Sequence, residues 1–496
     1  MFNKLHTIND LEKFSINDLE ATFINTSGKA WQKKGELFAL NLFQQASKRV
    51  PAYASFLKKN SISPETIKSY EDLQEIPCTD KKNYFDKYQL KDLVWDGKIK
   101  DKYVISSSSG TTGKPYYWLS HPSEFIQGAA VHKYIFHKIL NIRKPTLLIV
   151  NFGMGTWVAG IYTFLSTYFA GDNKHPISLI TPGFNKNDTL SILSNIAPHY
   201  KDVIIAGYPT FIKDIIEQSS YSKTQNLKYI LAGEGISESW RSYLLDLTEN
   251  KNMFDVCSIL GSADAAFMGF ETKQTILLRR LIQNNTSIKK KIFNEERTPS
   301  IVSFIPNYRF FEEQNSNLIL TANRAMPLIR YNTQDYGGVC SYEKLSKVLK
   351  KEGIDFAKKC GQEHIPIYNL PLVYLFGRGK FNATIYAANI YPENVKDVLS
   401  DKKIRRYTTG KFILETKYSD KQNHYLLLNI ELKESIKSNK KIQNMIGEVF
   451  VTKVSKINSE YHRVFEEYGN KVKPIVKLFK YSEPHLFSRS RLSKTS

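Results

Sequence analysis

The sequence predicts an α/β protein, with a large N-terminal domain of mainly parallel sheets flanked by helices and a small α+β domain after it. Three observations carry this reading. Strand-like and helix-like runs alternate through the middle of the chain, 496 residues exceed what one hydrophobic core serves, and the composition shifts after Gly377 towards Lys, Asn and Ser.

The alternation is the primary signal. Short β-branched or apolar runs at 102–106, 146–151, 177–181, 203–206 and 228–232 read as strands. Helix-like segments at 124–140, 188–196, 210–218 and 238–247 separate them, the pattern of βαβ units that places ligands beyond the carboxyl ends of parallel strands. The first hundred residues differ, with a helix-like run over 35–57 followed by irregular chain punctuated at Pro64 and Pro77. We read residues 1–376 as the large domain, with 1–100 as a helical region decorating it, and 377–496 as the small domain with strand-like runs at 410–415 and 424–432.

Composition narrows the class. Apolar residues at 42% and aromatics at 13% mark a folded globular chain. The formal net charge of +22 attracts anions, but no Lys/Arg stripe with interleaved aromatics gives a nucleic-acid footprint, so no nucleic-acid partner is expected. Cys78, Cys257, Cys340 and Cys360 are scattered without a C-x-x-C pair, which reads as reduced thiols in a cytoplasmic protein. Residues 145–171 carry no charge and are long enough to span a bilayer of about 30 Å, yet Gly and Asn in the middle divide them into a strand, a turn and a helix. Membrane contact is expected to go no further than peripheral association through the basic tail.

The segment that carries most chemistry is 106–115, SSSSGTTGKP, directly after the strand-like Tyr103-Val104-Ile105. Hydroxyls and glycines at a strand end wrap donors around phosphate oxygens, and Lys114 adds positive charge. The spacing is not that of the G-x-x-x-x-G-K-[ST] P-loop.

This segment resembles the Ser/Thr/Gly-rich phosphate loop of the adenylate-forming superfamily, and further landmarks follow in that family's order. Residues 231–238, LAGEGISE, are similar to the adenine-flanking loop of phenylacetate-CoA ligases. Leu260-Gly261-Ser262-Ala263-Asp264 stands where the family has Tyr-Gly-x-x-Glu. Residues 318–335, LILTANRAMPLIRYNTQD, resemble its P-x-x-R-Y-x-T-G-D stretch, and Gly377-Arg378 with Asn389-Ile390-Tyr391-Pro392 resembles the opening of its small domain. The stretch 46–81 resembles the N-terminal region of the phenylacetate-CoA ligase branch.

The resemblance implies an AMP-forming carboxylate ligase using ATP and Mg²⁺, with CoA as the acceptor and a small domain that moves. Ser108, Ser109, Thr111, Thr112 and Lys114 would hold the phosphates, and Gly233, Glu234 and Gly235 would border the adenine. Asp264 would hold the metal, while Asp335 and Arg378 would fix the ribose. Lys494 stands roughly where the family's adenylating lysine falls. Phe152, Trp157, Tyr208, Gly261 and Ser262 would line the pocket for a small carboxylic acid, which the aromatics suggest is itself aromatic or hydrophobic.

The departures from the family bear on the second step. Asp264 replaces Glu, Gln334 replaces a Gly and suggests crowding beside Asp335, Lys380-Phe381 replaces an Asp-rich hinge, and Ala387 replaces another Gly. They motivate an alternative in which an amine, a hydroxyl or a carrier protein takes the acyl group. A non-catalytic nucleotide-binding or interaction protein is the alternative of another class.

Overall fold

The β-branched runs of the middle of the chain become strands of one large sheet, and the segments between them become its helices. A computed structural model describes residues 4–108, 116–171, 176–219, 226–378 and 383–481. The strands β1 (Val104–Ser108) and β2 (Tyr116–Ser120) form a small ladder of their own. The large sheet contains β3 (Thr146–Asn151), β4 (Ile177–Ile180), β5 (Asp202–Gly207), β6 (Asn226–Leu231), β7 (Val256–Ser262) and β8 (Ala266–Phe270). It continues with β9 (Ser300–Ser303), β10 (Arg309–Gln314), β11 (Asn317–Ala322), β12 (Leu328–Cys340) and β13 (Leu372–Arg378). The order of its 11 strands is β10-β11-β12-β13-β9-β8-β7-β6-β5-β3-β4.

Connection length explains how these strands pair. The run β4-β3-β5-β6-β7 is parallel, because a helix crosses over between successive strands: Val158–Ala170, Lys186–Asn195, Pro209–Ile216 and Glu238–Leu247. Strands β3 and β5 are buried along their whole length, as a parallel strand covered on both faces must be. The strands of the other half pair antiparallel, β7 with β8 and β10 with β11 and then β12 across short turns, and β8 with β9 and β9 with β13 across longer helical connections. Asn315 and Ser316, at φ 54° and 60°, make the two-residue hairpin between β10 and β11.

Two expected helices are corrected. The run predicted over 35–57 is two helices, Gly28–Arg49 and Pro51–Lys59, because Pro51 has no N–H to continue the first and instead opens the second. Gly35 on the first lies against Phe310, whose ring carbon would be 2.3 Å from a Cβ there. The helix predicted over 124–140 begins two residues earlier at Pro122, capped by the His121 side chain, and gives way after Tyr134 to a π-helical turn, Ile135–Ile139. Among the described residues no helix is long and apolar enough to cross a membrane.

The described residues form two compact units, one of Met1–Ser107, Tyr117–Gly207 and Ile212–Gly377, the other of Ser108–Tyr116, Tyr208–Phe211 and Arg378–Ser496. In the second, a hairpin of β14 (Ala383–Ile385) and β15 (Ala388–Ile390) accompanies a sheet of β16 (Thr408–Tyr418), β17 (His424–Leu432) and β18 (Ile475–Phe479). Helices Pro392–Leu399, Lys440–Ile457 and Ser459–Tyr468 complete it around a core that includes Leu428, Ile430, Ile446 and Phe450. It is an α+β unit with a core of its own.

Candidate functional site

The register of the parallel strands sets four of them in one row. Asn151 of β3 pairs with Gly207 of β5, Gly207 with Leu231 of β6, and Leu231 with Ser258 of β7. Gly207 is required in that row, since a Cβ there would lie 2.9 Å from the carbonyl oxygen of Asn151. The chain leaving these strands carries the residues singled out in the sequence: Phe152 and Trp157 after β3, Gly233, Glu234 and Gly235 after β6, and Gly261, Ser262 and Asp264 where β7 turns into β8. Tyr208 follows β5 directly and belongs to the second unit.

Strand β1, which precedes the Ser/Thr/Gly segment in the sequence, is tied to the chain that leaves β3. The Ser107 amide donates a 2.8 Å hydrogen bond to the Thr156 carbonyl, so β1 runs beside the loop after β3. Ser108 ends β1 and is buried. Ser109, Thr111, Thr112 and Lys114 lie outside the described residues.

Trp157, one of the aromatics singled out in the sequence, has a neighbour that sequence reasoning missed. Phe184 stands edge-on to Trp157 with ring centroids 6.3 Å apart, and a Cβ on Gly153 would come within 2.9 Å of Phe184. The signal available was the Pro182-Gly183-Phe184 turn directly beyond β4. Phe152 is 1% exposed and belongs to the core, whereas Trp157 is half-buried.

The loop 232–237 is anchored from beneath by buried charges. Arg279 donates to the Ile236 carbonyl and, from Nε, to that of Pro299 at 3.1 Å. Arg241 bonds Glu238 at 2.9 Å and Glu271 at 2.7 Å, and Arg279 meets the same two carboxylates at 3.1 Å and 2.9 Å. Burial alone would raise the Glu271 carboxyl, but Arg241 and Arg279 hold it below the ordinary range. Glu271 also accepts from the Ser258 amide, so one quartet fixes both the 232–237 loop and β7.

Asp264 is 3% exposed, and both its side chain and its backbone carbonyl are held. Its Oδ2 accepts a 2.6 Å bond from the Tyr331 hydroxyl and faces the Lys81 ammonium at 3.5 Å. Its carbonyl oxygen accepts from Arg324, which also pairs with Glu124 at 2.8 Å and donates to Ser120 at the end of β2. The residue marked as a metal ligand is therefore linked through Arg324 to β2, which follows the Ser/Thr/Gly segment in the sequence. Among the described residues no group of three or more His, Cys, Asp and Glu is gathered for a metal. Magnesium held chiefly by substrate phosphates needs only one or two carboxylates, and Asp264 fits that demand.

Lys81 is delivered by a stiff segment. Arg330 donates to the carbonyls of Leu73, Gln74 and Ile76, clamping the chain before it. Thr79 then pairs alongside Tyr331, its amide on the Arg330 carbonyl at 3.1 Å and its carbonyl on the Asn332 amide at 2.8 Å. Asp80 and Asn83 close the turn by reciprocal bonds of 2.7 and 2.6 Å.

Asp335 lies buried on β12, its amide donating to Thr333 Oγ1 at 3.2 Å. The crowding expected from Gln334 is absent: its backbone takes the left-handed conformation, φ 62°, and its side chain is exposed. Ala387 likewise sits at φ 65°, so both non-glycine replacements keep a glycine-like backbone. Arg378 ends β13, and its side chain lies outside the described residues, as do Lys380, Phe381 and Lys494.

No family profile matches this chain, and no curated protein sequence does. Among solved structures, 2-hydroxyisobutyryl-CoA ligase in complex with 2-HIB-AMP and CoA in the thioesterification state is similar with a TM-score of 0.60 at 17% identity, over 91% of this chain and 87% of that one. An open conformation of the same ligase, with the same two ligands, gives 0.51 at 16% identity over 90% and 88%. The sheet, the flanking helices and the C-terminal α+β unit thus resemble those of that ligase, and what this chain shares with it is a fold.

Proposed function

We propose that this chain activates a carboxylic acid with ATP, forming an acyl-adenylate and pyrophosphate, and then transfers the acyl group to CoA. The observation that carries the proposal is the row Asn151, Gly207, Leu231 and Ser258, which sends the loops read as pocket, adenine and metal segments from one edge of the sheet. The shared fold supports it, since the similar ligase was crystallised with 2-HIB-AMP and CoA.

A carboxylate resists attack because it is anionic and lacks a leaving group. In the proposed step its oxygen bonds to the α-phosphorus, the bond from that phosphorus to the bridging oxygen breaks, and pyrophosphate departs with the electron pair. No proton moves, so the protein's work is positioning and charge. Ser108, Ser109, Thr111, Thr112 and Lys114 would hold the phosphates, the Gly233–Gly235 backbone would border the adenine, and Asp335 and Arg378 would hold the ribose. Mg²⁺, when bound at Asp264, offsets charge on the departing pyrophosphate. Lys494 in the C-terminal domain, 377–496, would approach the carboxylate and α-phosphate oxygens.

Trp157 and Phe184 favour an aromatic or hydrophobic acid, as in the phenylacetate-CoA ligase branch. CoA is preferred over an amine or carrier protein because Ala387, at φ 65°, takes a left-handed backbone that a glycine would also take, so this departure leaves the turn open to either residue. Pyrophosphate release over a broad panel of acids, with and without CoA, tests the proposal. Silence across the panel while ATP still binds would sink it.

A further inference from the structure

We infer that a cavity against the helix Gly28–Arg49 is a second binding site, and that it takes an uncharged nucleoside carrying adenine. The inference goes beyond the function proposed above and stands independently of it.

The cavity holds about 250 Å³, and all of its lining lies in the first compact unit. The helix Gly28–Arg49 supplies Phe38, Asn41, Leu42 and Gln45, a spacing that sets four side chains on one helical face. Gln127 of the helix Pro122–Tyr134, Tyr308 directly before β10 and Asn323 directly after β11 close the wall. None of these is a residue read as a phosphate, adenine, metal, ribose or acid contact. The helix packs against β10, β11 and β12, whereas the row of Asn151, Gly207, Leu231 and Ser258 spans β3, β5, β6 and β7.

The lining divides into a floor and a rim. Leu42 and Tyr308 are each 3% exposed and form the floor, with the half-buried Phe38 beside them. Among the described residues the Phe38 ring meets no other ring and no cation. Asn41, Gln45 and Asn323 are exposed, and among the described residues their carboxamides make no hydrogen bond to the protein. In a chain with 70 Lys and Arg and 48 Asp and Glu, the cavity is lined by none of the four, and His6 is its one basic side chain.

This chemistry selects the ligand. A carboxamide presents an acceptor and donors side by side, and Asn and Gln pair bidentately with the N6 amino group and N7 of adenine. A half-buried ring without a partner offers a face on which a base stacks. No lysine or arginine stands at the rim to pair with a phosphate, so the site favours the nucleoside over its phosphates. The volume falls below the roughly 300–1,000 Å³ of pockets that enclose a drug-sized ligand, so it encloses the base and leaves the ribose at the mouth.

The test is equilibrium dialysis of the full-length chain against labelled adenosine. Adenosine should bind, purine riboside, which lacks the 6-amino group, should bind about tenfold more weakly, and AMP should bind no more tightly than adenosine. The double variant Asn41→Ala with Gln45→Ala, both at exposed helical positions, should weaken adenosine by about tenfold or more and keep the melting temperature. Asp335→Ala should leave this binding unchanged. No adenosine binding, equal affinity for purine riboside, or binding lost in Asp335→Ala and kept in the double variant would each overturn the inference. Photolabelling of the unaltered chain by 8-azidoadenosine decides the matter without any substitution: label on residues 38–45 is expected, and label confined to 231–238 would refute it. Dialysis needs no turnover, so silence in the acid panel bears on the proposed function alone.

Discussion

The Tyr331 hydroxyl donates a 2.6 Å hydrogen bond to Asp264, and both side chains are almost wholly buried. Removing the donor leaves a buried carboxylate short of a partner. Tyr331→Phe should therefore cost about 1.5–3 kcal/mol of stability, the range for a hydrogen bond to a charged group. Urea denaturation would show it as a lower midpoint with an unchanged slope.

Arg324 and Glu124 form an ion pair in which both side chains are 3% exposed or less. Breaking it from one side strands the other charge, so Arg324→Met should destabilise by about 3–5 kcal/mol. The double variant Arg324→Met with Glu124→Gln should recover part of that loss. Equilibrium unfolding of the singles and the double, read as a cycle, measures the coupling.

Burial pushes His132 down to about 4, with its Nδ1 on the Gly128 carbonyl and its Nε2 unpartnered. The unfolded chain binds a proton near pH 6.5 and the native chain does not, so native stability is full above that pH and falls as pH drops towards 4. The slope should reach about 1.4 kcal/mol per pH unit from this residue. Denaturant midpoints between pH 7 and 4.5 should show a shallower fall for His132→Leu than for the wild type.

Tyr386 and Ala387 form the turn between β14 and β15 with φ 46° and 65°. Two left-handed residues make the hairpin turn that Asn-Gly ordinarily fills. Tyr386 is kept there by its ring, 4.0 Å from the centroid of Tyr468, and by its amide on His424 Nε2 at 3.1 Å. Ala387 has only its methyl group to lose, so Ala387→Gly should raise stability by about 1 kcal/mol. Thermal melts of the variant beside the wild type would show the gain.

Trp157 and Phe184 are expected to set the size of the acid accepted. Trp157→Ala should shift kcat/KM towards bulkier aromatic acids by about tenfold or more relative to small ones. Parallel kinetics over a graded series of acids is the measurement, and an unchanged ranking would place the pocket elsewhere.

What was legible in the sequence follows from distance along the chain. Strands β3 and β17 and the helix Glu238–Leu247 fall on the residues read for them, because each is a short periodic run bounded by punctuating residues. The Val50-Pro51 break was readable locally but was masked by apolar periodicity on both sides. The strand-end row shows the segments that carry Glu234 and Asp264 leaving neighbouring strands of one sheet. Lys81 and Arg324 escaped notice because their meaning lies in Asp264 and Glu124, remote segments joined only by tertiary packing. Tyr331 stood within a quoted motif, yet only the fold reveals that it serves Asp264.

The quartet of Arg241, Arg279, Glu238 and Glu271 has two positive and two negative members, each 3% exposed or less. Dissolved ions cannot enter to screen it, whereas the outer surface of a chain with net charge +22 is bathed in them. Two electrostatic regimes thus coexist in one molecule. Raising the ionic strength should weaken long-range attraction of anionic ligands to the exterior while leaving the shape of the 232–237 loop untouched, so salt should act on how quickly an anion arrives rather than on the form of that loop.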